Sequence, residues 1–194
     1  KIPRGYKKTE VGVIPEEWGA VKLGEIVENP RLGGNYKNTE KKTKHPLIKM
    51  GNLGRGNINL EKVEYIVDGI VPQGRDRLKF GDVLFNTRNT LDLVGKVAIW
   101  RNELPQAYYN SNLLHLDFNE TYIASSFFMN YILNTSLSIR QLRGFATGTT
   151  SVAAIYSRDL YNLFLPLPPT YEQLAIAEVL SDVDDLINSI ENLI

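Results

Sequence analysis

The sequence predicts an α+β fold, a body of short strands and a few helices closed by a long C-terminal helix. Three observations predict it. Apolar runs of four to seven residues recur between Pro46 and Phe118, separated by glycine-rich turns, as strands are. Helical periodicity appears only after them, without the strand–helix–strand alternation of a parallel sheet. Last, Thr170–Ile194 switches to a helical period with no glycine or proline to interrupt it.

The totals set the limits. A chain of 194 residues with 43% apolar content holds one large domain, or one domain and an appendage. No apolar run reaches 18 residues, so no membrane span is expected. Lys1, Arg4, Lys7 and Lys8 are not followed by an apolar stretch, so no secretory leader is expected either. The absence of cysteine excludes disulfides and cysteine-based zinc sites and fits a cytoplasmic address. The formal net charge is zero, but it is unevenly spread. Residues 170–194 carry six acidic groups and no basic ones, whereas the first 169 hold 22 basic groups against 16 acidic, a net of +6. A basic body suits phosphates, and an acidic helix suits protein contacts.

Taken in order, residues 1–17 read as an extended arm in which Pro3, Gly5, Gly12 and Pro15 deny regular structure. Leu23–Val27 is a candidate single helical turn, ended by Pro30. Arg31–His45 is the most polar stretch. It sets Arg31, Lys37, Lys41, Lys42 and Lys44 against Glu40, with Gly33-Gly34 supplying freedom. It is either a solvated surface loop or a mobile basic loop that closes on a nucleic-acid backbone. Leu47–Met50, Val63–Val67, Val83–Asn86, Val94–Trp100 and Leu113–Phe118 are the strand candidates. Arg55, Arg75 and Arg77 lie in the turns among them. Helices are expected at Tyr122–Leu133 and Ser136–Arg143, the latter ending at Gly144.

Toward the C-terminus, Pro166, Pro168 and Pro169 break any strand in Leu160–Leu167. Thr170 and Gln173 form a T-x-x-Q capping box at the head of the last helix. Ala177, Leu180, Val183, Ile187, Ile190 and Ile194 then recur at spacings of three and four, one apolar seam. Ile176, Val179, Leu186 and Leu193 widen it. Such a helix either folds back on its own domain or packs as a coiled coil on another helix or subunit.

Catalytic signatures are missing from the sequence. It has no phosphate-binding glycine loop, no nucleophile elbow and no dinucleotide fingerprint. His45 and His115 lack ligand-spaced partners, so no metal site is expected. What it does contain is a base-reading side-chain set. Asn86, Thr87, Arg88, Asn89 and Thr90 lie at the end of the predicted strand Val83–Asn86 and just beyond it; arginine forks onto guanine and asparagine onto adenine. The competing reading is a turn whose Asn and Thr bond their own backbone. Thr147, Thr149, Thr150 and Ser151 suit either phosphate contact or the capping of a following helix.

The succession of features resembles the specificity (S) subunits of type I restriction-modification systems, over essentially the whole chain. The resemblance rests on Trp18 with Leu23-Gly24-Glu25-Ile26, on Gly56-Asn57-Ile58, and on Leu78 to Leu84 with Arg88. It continues through Asn110-Ser111-Asn112 and Gly144 with Gly148-Thr149-Thr150. Leu163 to Pro169, followed by Glu172-Gln173, is its most telling part. The resemblance implies a target recognition domain, residues 1–169, and the start of a conserved spacer helix, 170–194. It implies a half-site reader of double-stranded DNA that is not itself an enzyme. Methyltransferase (M) subunits would dock on it and carry N6-adenine methylation with S-adenosylmethionine, a cofactor expected on them and not on this chain. The restriction (R) subunit would join through the complex. The seam from Ala177 to Ile194 would meet a second recognition domain's helix or a second copy. Arg88 and Asn89 would read bases; Arg31, the four lysines, Arg55, Arg75, Arg77 and the 147–151 hydroxyls would meet phosphates. One recognition domain and part of one helix are present, which fits a fragment or a half-subunit. The alternatives are a recognition module cut from a fused restriction or methyltransferase enzyme, and a protein-interaction module that binds no DNA.

Overall fold

The chain opens with two paired strands, β1 (Tyr6–Thr9) and β2 (Gly12–Pro15). The structure is a computed structural model and describes residues 2–191 and 193. The expected irregular arm is therefore a hairpin, because Gly12 adopts φ 105° and turns the chain instead of denying it structure. Ile14 is its buried anchor. After β3 (Gly19–Lys22), the turn α1 (Leu23–Ile26) buries Leu23 and Ile26 and leads into β4 (Val27–Leu32).

The strands β5 (Asn38–Thr39), β6 (Pro46–Ile48), β7 (Glu64–Ile66), β8 (Val83–Asn86), β9 (Arg88–Asn89), β10 (Val97–Ile99), β11 (Tyr108–Tyr109) and β12 (Leu113–Phe118) follow. Then come α2 (Ser126–Leu133), α3 (Ser136–Phe145), β13 (Thr147–Gly148), β14 (Ala153–Ala154), α4 (Ser157–Leu160), β15 (Phe164–Leu167) and α5 (Thr170–Glu191). The central sheet is antiparallel, in the order β10-β8-β12-β4. Its period of two explains the sequence. Val83, Phe85, Val97, Ile99, Leu114 and Leu116 face a core shared with α2, α3 and Ala177 of α5. Leu84, Ala98 and Leu113 face the other way, onto Ile48, Trp100 and Tyr109. A sheet buried on both faces has no polar alternation to display. A second sheet, β11-β6-β7-β5, backs the latter core.

Two strands run through prolines. β4 is an edge strand whose pairing with β12 shifts between His115 and Asp117, and Pro30 lies at that irregularity beside Asn29 at φ 42°. Proline is tolerated at such sites because no ladder hydrogen bond is asked of it. Pro166 lies inside β15, opposite Ala20 of β3. Leu23 N–H donates to Leu163 O, so bonded pairs alternate from there, and Pro166 falls at a position whose N–H would point away from β3.

The head of α5 also differs from expectation. Gln173 does not reach back to Thr170. It is fully buried, accepts Ala124 N–H at 3.0 Å, and donates to Tyr122 O at 2.9 Å and Pro168 O at 3.0 Å. Further along, Tyr131 of α2 donates to Asp184 Oδ2 at 2.8 Å, and Arg101 pairs with the same oxygen at 3.3 Å. Trp18 Nε1 donates to Glu172 Oε2 at 3.1 Å. No helix among the described residues is long and apolar enough to cross a membrane.

Candidate nucleic-acid interface

Strand direction decides which loops meet. β4 and β8 both run antiparallel to β12, so their C-terminal ends lie together where β12 begins: Asn86 is opposite Leu113 and Leu32 opposite Leu114. The basic loop leaves from one end and the Thr87–Thr90 segment from the other. Asn110–Asn112 ties them. Thr87 donates to Asn112 O from its backbone N at 3.1 Å and from Oγ1 at 2.8 Å, while Gly34 N–H donates to Tyr109 O at 3.2 Å. Gly33 serves packing, not freedom, since a Cβ there would lie 2.2 Å from the Tyr109 carbonyl oxygen.

Two segments singled out in the sequence become one surface. β14 pairs with β9 and with β13, setting Ala154 opposite both Arg88 and Thr147. Leu91 N–H donates to Thr150 O at 3.1 Å, and Ile155 N–H to Thr87 O at 3.0 Å. The turn after β13 is closed by Thr149 N–H on Val152 O at 2.8 Å. Gly148, at φ 129°, permits it; a Cβ would fall 2.3 Å from Val152 O. Arg88, Thr147, Thr149, Thr150 and Ser151 are all exposed. The 147–151 hydroxyls cap no helix, because β14 and not a helix follows them.

Asn86 is a correction. It is wholly buried, with Oδ1 accepting Arg88 N–H at 3.2 Å and Nδ2 reaching Leu93 O at 3.4 Å, which leaves no edge for a base. Thr87 spends its hydroxyl inward. Asn89 Oδ1 accepts Thr90 N–H at 2.8 Å, so the turn reading holds for these two, yet both remain partly exposed. Of the five, Arg88 is the one that is exposed.

The expected phosphate set divides. Lys37, Lys41, Lys42 and Lys44 are exposed around β5, in a loop that is tethered: Val67 N–H donates to Lys37 O, and Thr43 Oγ1 donates to Ile66 O at 2.8 Å. Tyr36 donates to Asp76 Oδ2 at 2.5 Å, which links this loop to the turn carrying exposed Arg75 and Arg77. Arg31 is half-buried and pairs with Asp117 at 3.3 Å. Arg55 stands apart, in a cleft with Arg101, Asn130 and Ile187 beside α5. Burial, and then the charge of Arg143, push its guanidinium below the usual range.

On α5, Ala177 is 6% exposed and belongs to the domain's own core, so it is withdrawn from the predicted interface seam. Ile176 also packs inward. Leu180, Val183, Ile187 and Ile190 remain 38–51% exposed, and Val179 and Leu186 widen the same uncovered surface. Ile194 lies outside the described residues. Sequence reasoning missed Gln173 as a buried anchor and Asp76 as a tether; T-x-x-Q and G-R-D-R carry no signal for either.

Similarity to known proteins identifies the family. Residues 15–194 match the family described as Type I restriction modification DNA specificity domain, and the chain belongs to it. Among relatives from Methanocaldococcus jannaschii, it is 32% identical over 192 residues to the "Putative type I restriction enzyme MjaX specificity subunit", covering 97% of this chain and 44% of that one. It is 29% identical over 189 residues to the type I restriction enzyme MjaVIII specificity subunit, covering 95% of this chain and 43% of the relative. The chain thus spans under half the length of each. The solved S subunit of a type I restriction-modification system from M. genitalium superposes with a TM-score of 0.64 at 16% identity, over 100% of this chain and 43% of its own. The HsdS subunit from Thermoanaerobacter tengcongensis gives 0.54 at 18% identity, over 97% and 42%. At those identities the likeness is one of fold.

Proposed function

We infer that this chain reads one half of a split sequence in double-stranded DNA and directs partner methyltransferase and restriction subunits to it. The observation that carries this reading is the joining of the Arg88 strand to the 147–151 turn, through β14 and the Leu91–Thr150 bond, at one end of the central sheet, while α5 docks at the other. A guanidinium fork on a short strand is aimed firmly enough to read a guanine edge. Exposed hydroxyls and lysines around it meet phosphates, which position the protein without specifying sequence.

In this reading residues 1–169 are the target recognition domain, and 170–194 begin a spacer helix. The uncovered face from Leu180 to Ile190 packs on a second such helix, within a longer chain or from a second copy. Methylation with S-adenosylmethionine falls to the partner subunits in the cytoplasm, and this chain supplies recognition alone. The test is co-expression with the methyltransferase subunit, followed by genome-wide mapping of modified adenines and duplex binding at about 50 and about 200 mM salt. One bipartite motif and steeply salt-dependent binding are expected. Methylation without a motif, or binding indifferent to salt, would overturn the reading.

A further inference from the structure

At the tips of the proposed reading surface stand branched aliphatic side chains that a DNA-contacting turn does not need for phosphates. Leu91 is 39% exposed, Leu93 40% and Val152 62%. They are not there for want of a core, since Val94 and Ile155, neighbours in sequence, are buried at 5% and 2%. Their placement is firm. Leu91 N–H bonds Thr150 O at 3.1 Å, which stitches the two turns together by backbone, and Val152 N–H bonds Thr149 Oγ1 at 3.2 Å within its own turn. Arg88 leaves β9 next to them. Asp92, between the leucines, is exposed and would repel a phosphate, so this tip is not built to hold the sugar–phosphate chain.

In the major groove one ordinary base offers an aliphatic partner, thymine through its C5-methyl. We propose that Leu91 and Val152 form a methyl-reading patch that contacts the C5-methyl of a thymine in the recognised half-site, beside the base read by Arg88. The proposal rests on the DNA-reading assignment above and adds a base class to it. Two aliphatic groups closing on one methyl remove it from water, and a lost methyl at that spot weakens binding about fourfold.

The test uses the assembled complex on the motif mapped by methylation. Each thymine of the half-site is replaced singly by deoxyuridine, which deletes the methyl and keeps every hydrogen-bonding group. At one position the unmodified protein should lose about fourfold in affinity. The Leu91→Ala/Val152→Ala protein should bind thymine and uracil duplexes equally there; both positions are exposed, so the variant should melt like the parent. If every thymine can be replaced without loss, or if the double variant stays sensitive to the methyl, the proposal is overturned. A complex that does not prefer its mapped motif over scrambled duplex would sink the DNA-reading assignment itself, and the patch with it.

Discussion

The phenol of Tyr36 donates to Asp76 Oδ2 across 2.5 Å and accepts Gln73 N–H at 2.9 Å, although 40 residues separate the two side chains in sequence. Asp76 is 2% exposed, so the bond fastens the lysine-bearing loop to the turn carrying Arg75 and Arg77. Tyr36→Phe should cost about 1–3 kcal/mol in urea unfolding, because it leaves a buried carboxylate short of a donor. Burial first, and then the Asp76 bond, push the Tyr36 phenol up to about 12 from 10.0. The folded state therefore holds this proton more tightly than the unfolded chain. Its stabilisation is whole below pH 10 and is lost as pH rises toward about 12. Comparison of unfolding free energies across that window should show a loss that the phenylalanine variant lacks.

Arg88→Ala should weaken binding to the cognate half-site by about 1–3 kcal/mol and relax a single base position. The readout is the methylated motif; if it keeps all its positions, Arg88 does not read a base.

Lys41→Ala should act differently. It should weaken all duplexes alike and reduce the magnitude of the log–log salt slope by about 0.9. A loss confined to one sequence would assign Lys41 to base recognition.

Gln173→Ala should cost about 1–3 kcal/mol, since it removes the buried amide that pairs Ala124 N–H, Tyr122 O and Pro168 O. Gln173→Glu should not rescue it, for a carboxylate accepts from Ala124 but cannot donate to the two carbonyls. Urea unfolding and hydrogen exchange at the Ala124 amide measure both.

The two sides of α5 should part company under substitution. Leu180→Asp with Ile187→Asp should abolish self-association or partner docking and leave the fold intact, whereas Ala177→Asp should unfold the domain by burying an unpaired charge. Sedimentation and thermal melting of the two proteins separate these outcomes. A monomer before and after the double substitution, with partner docking unaltered, would remove α5 from the interface.

Much of this fold could be read in advance, and the failures share a cause. β8 and β12 matched their expected bounds because largely apolar runs fit a sheet covered on both faces. β4 and β15 were hidden by Pro30 and Pro166, which are harmless at an edge, and edge position is a tertiary fact. β9, β13 and β14 are two residues long and have no period to detect. On α5 the apolar residues surround much of the helix. What selects its inward face is Gln173, Ser181 and Asp184, polar side chains whose partners lie 49 to 53 residues away. The site followed the same pattern. Residue type nominated Arg88 and Thr147–Ser151 without showing that β14 joins their strands, and it nominated Asn86 without showing that it faces inward.

The placement of α5 and of the Arg88 turn at opposite ends of β12 has a consequence for how such a protein can change. Six residues of strand span roughly 20 Å, a stiff strut between the two ends. Tip residues can be exchanged freely without disturbing the Gln173 socket or the uncovered leucines. Under the proposed function, new target sequences would arise at that tip while the α5 surface stays unchanged.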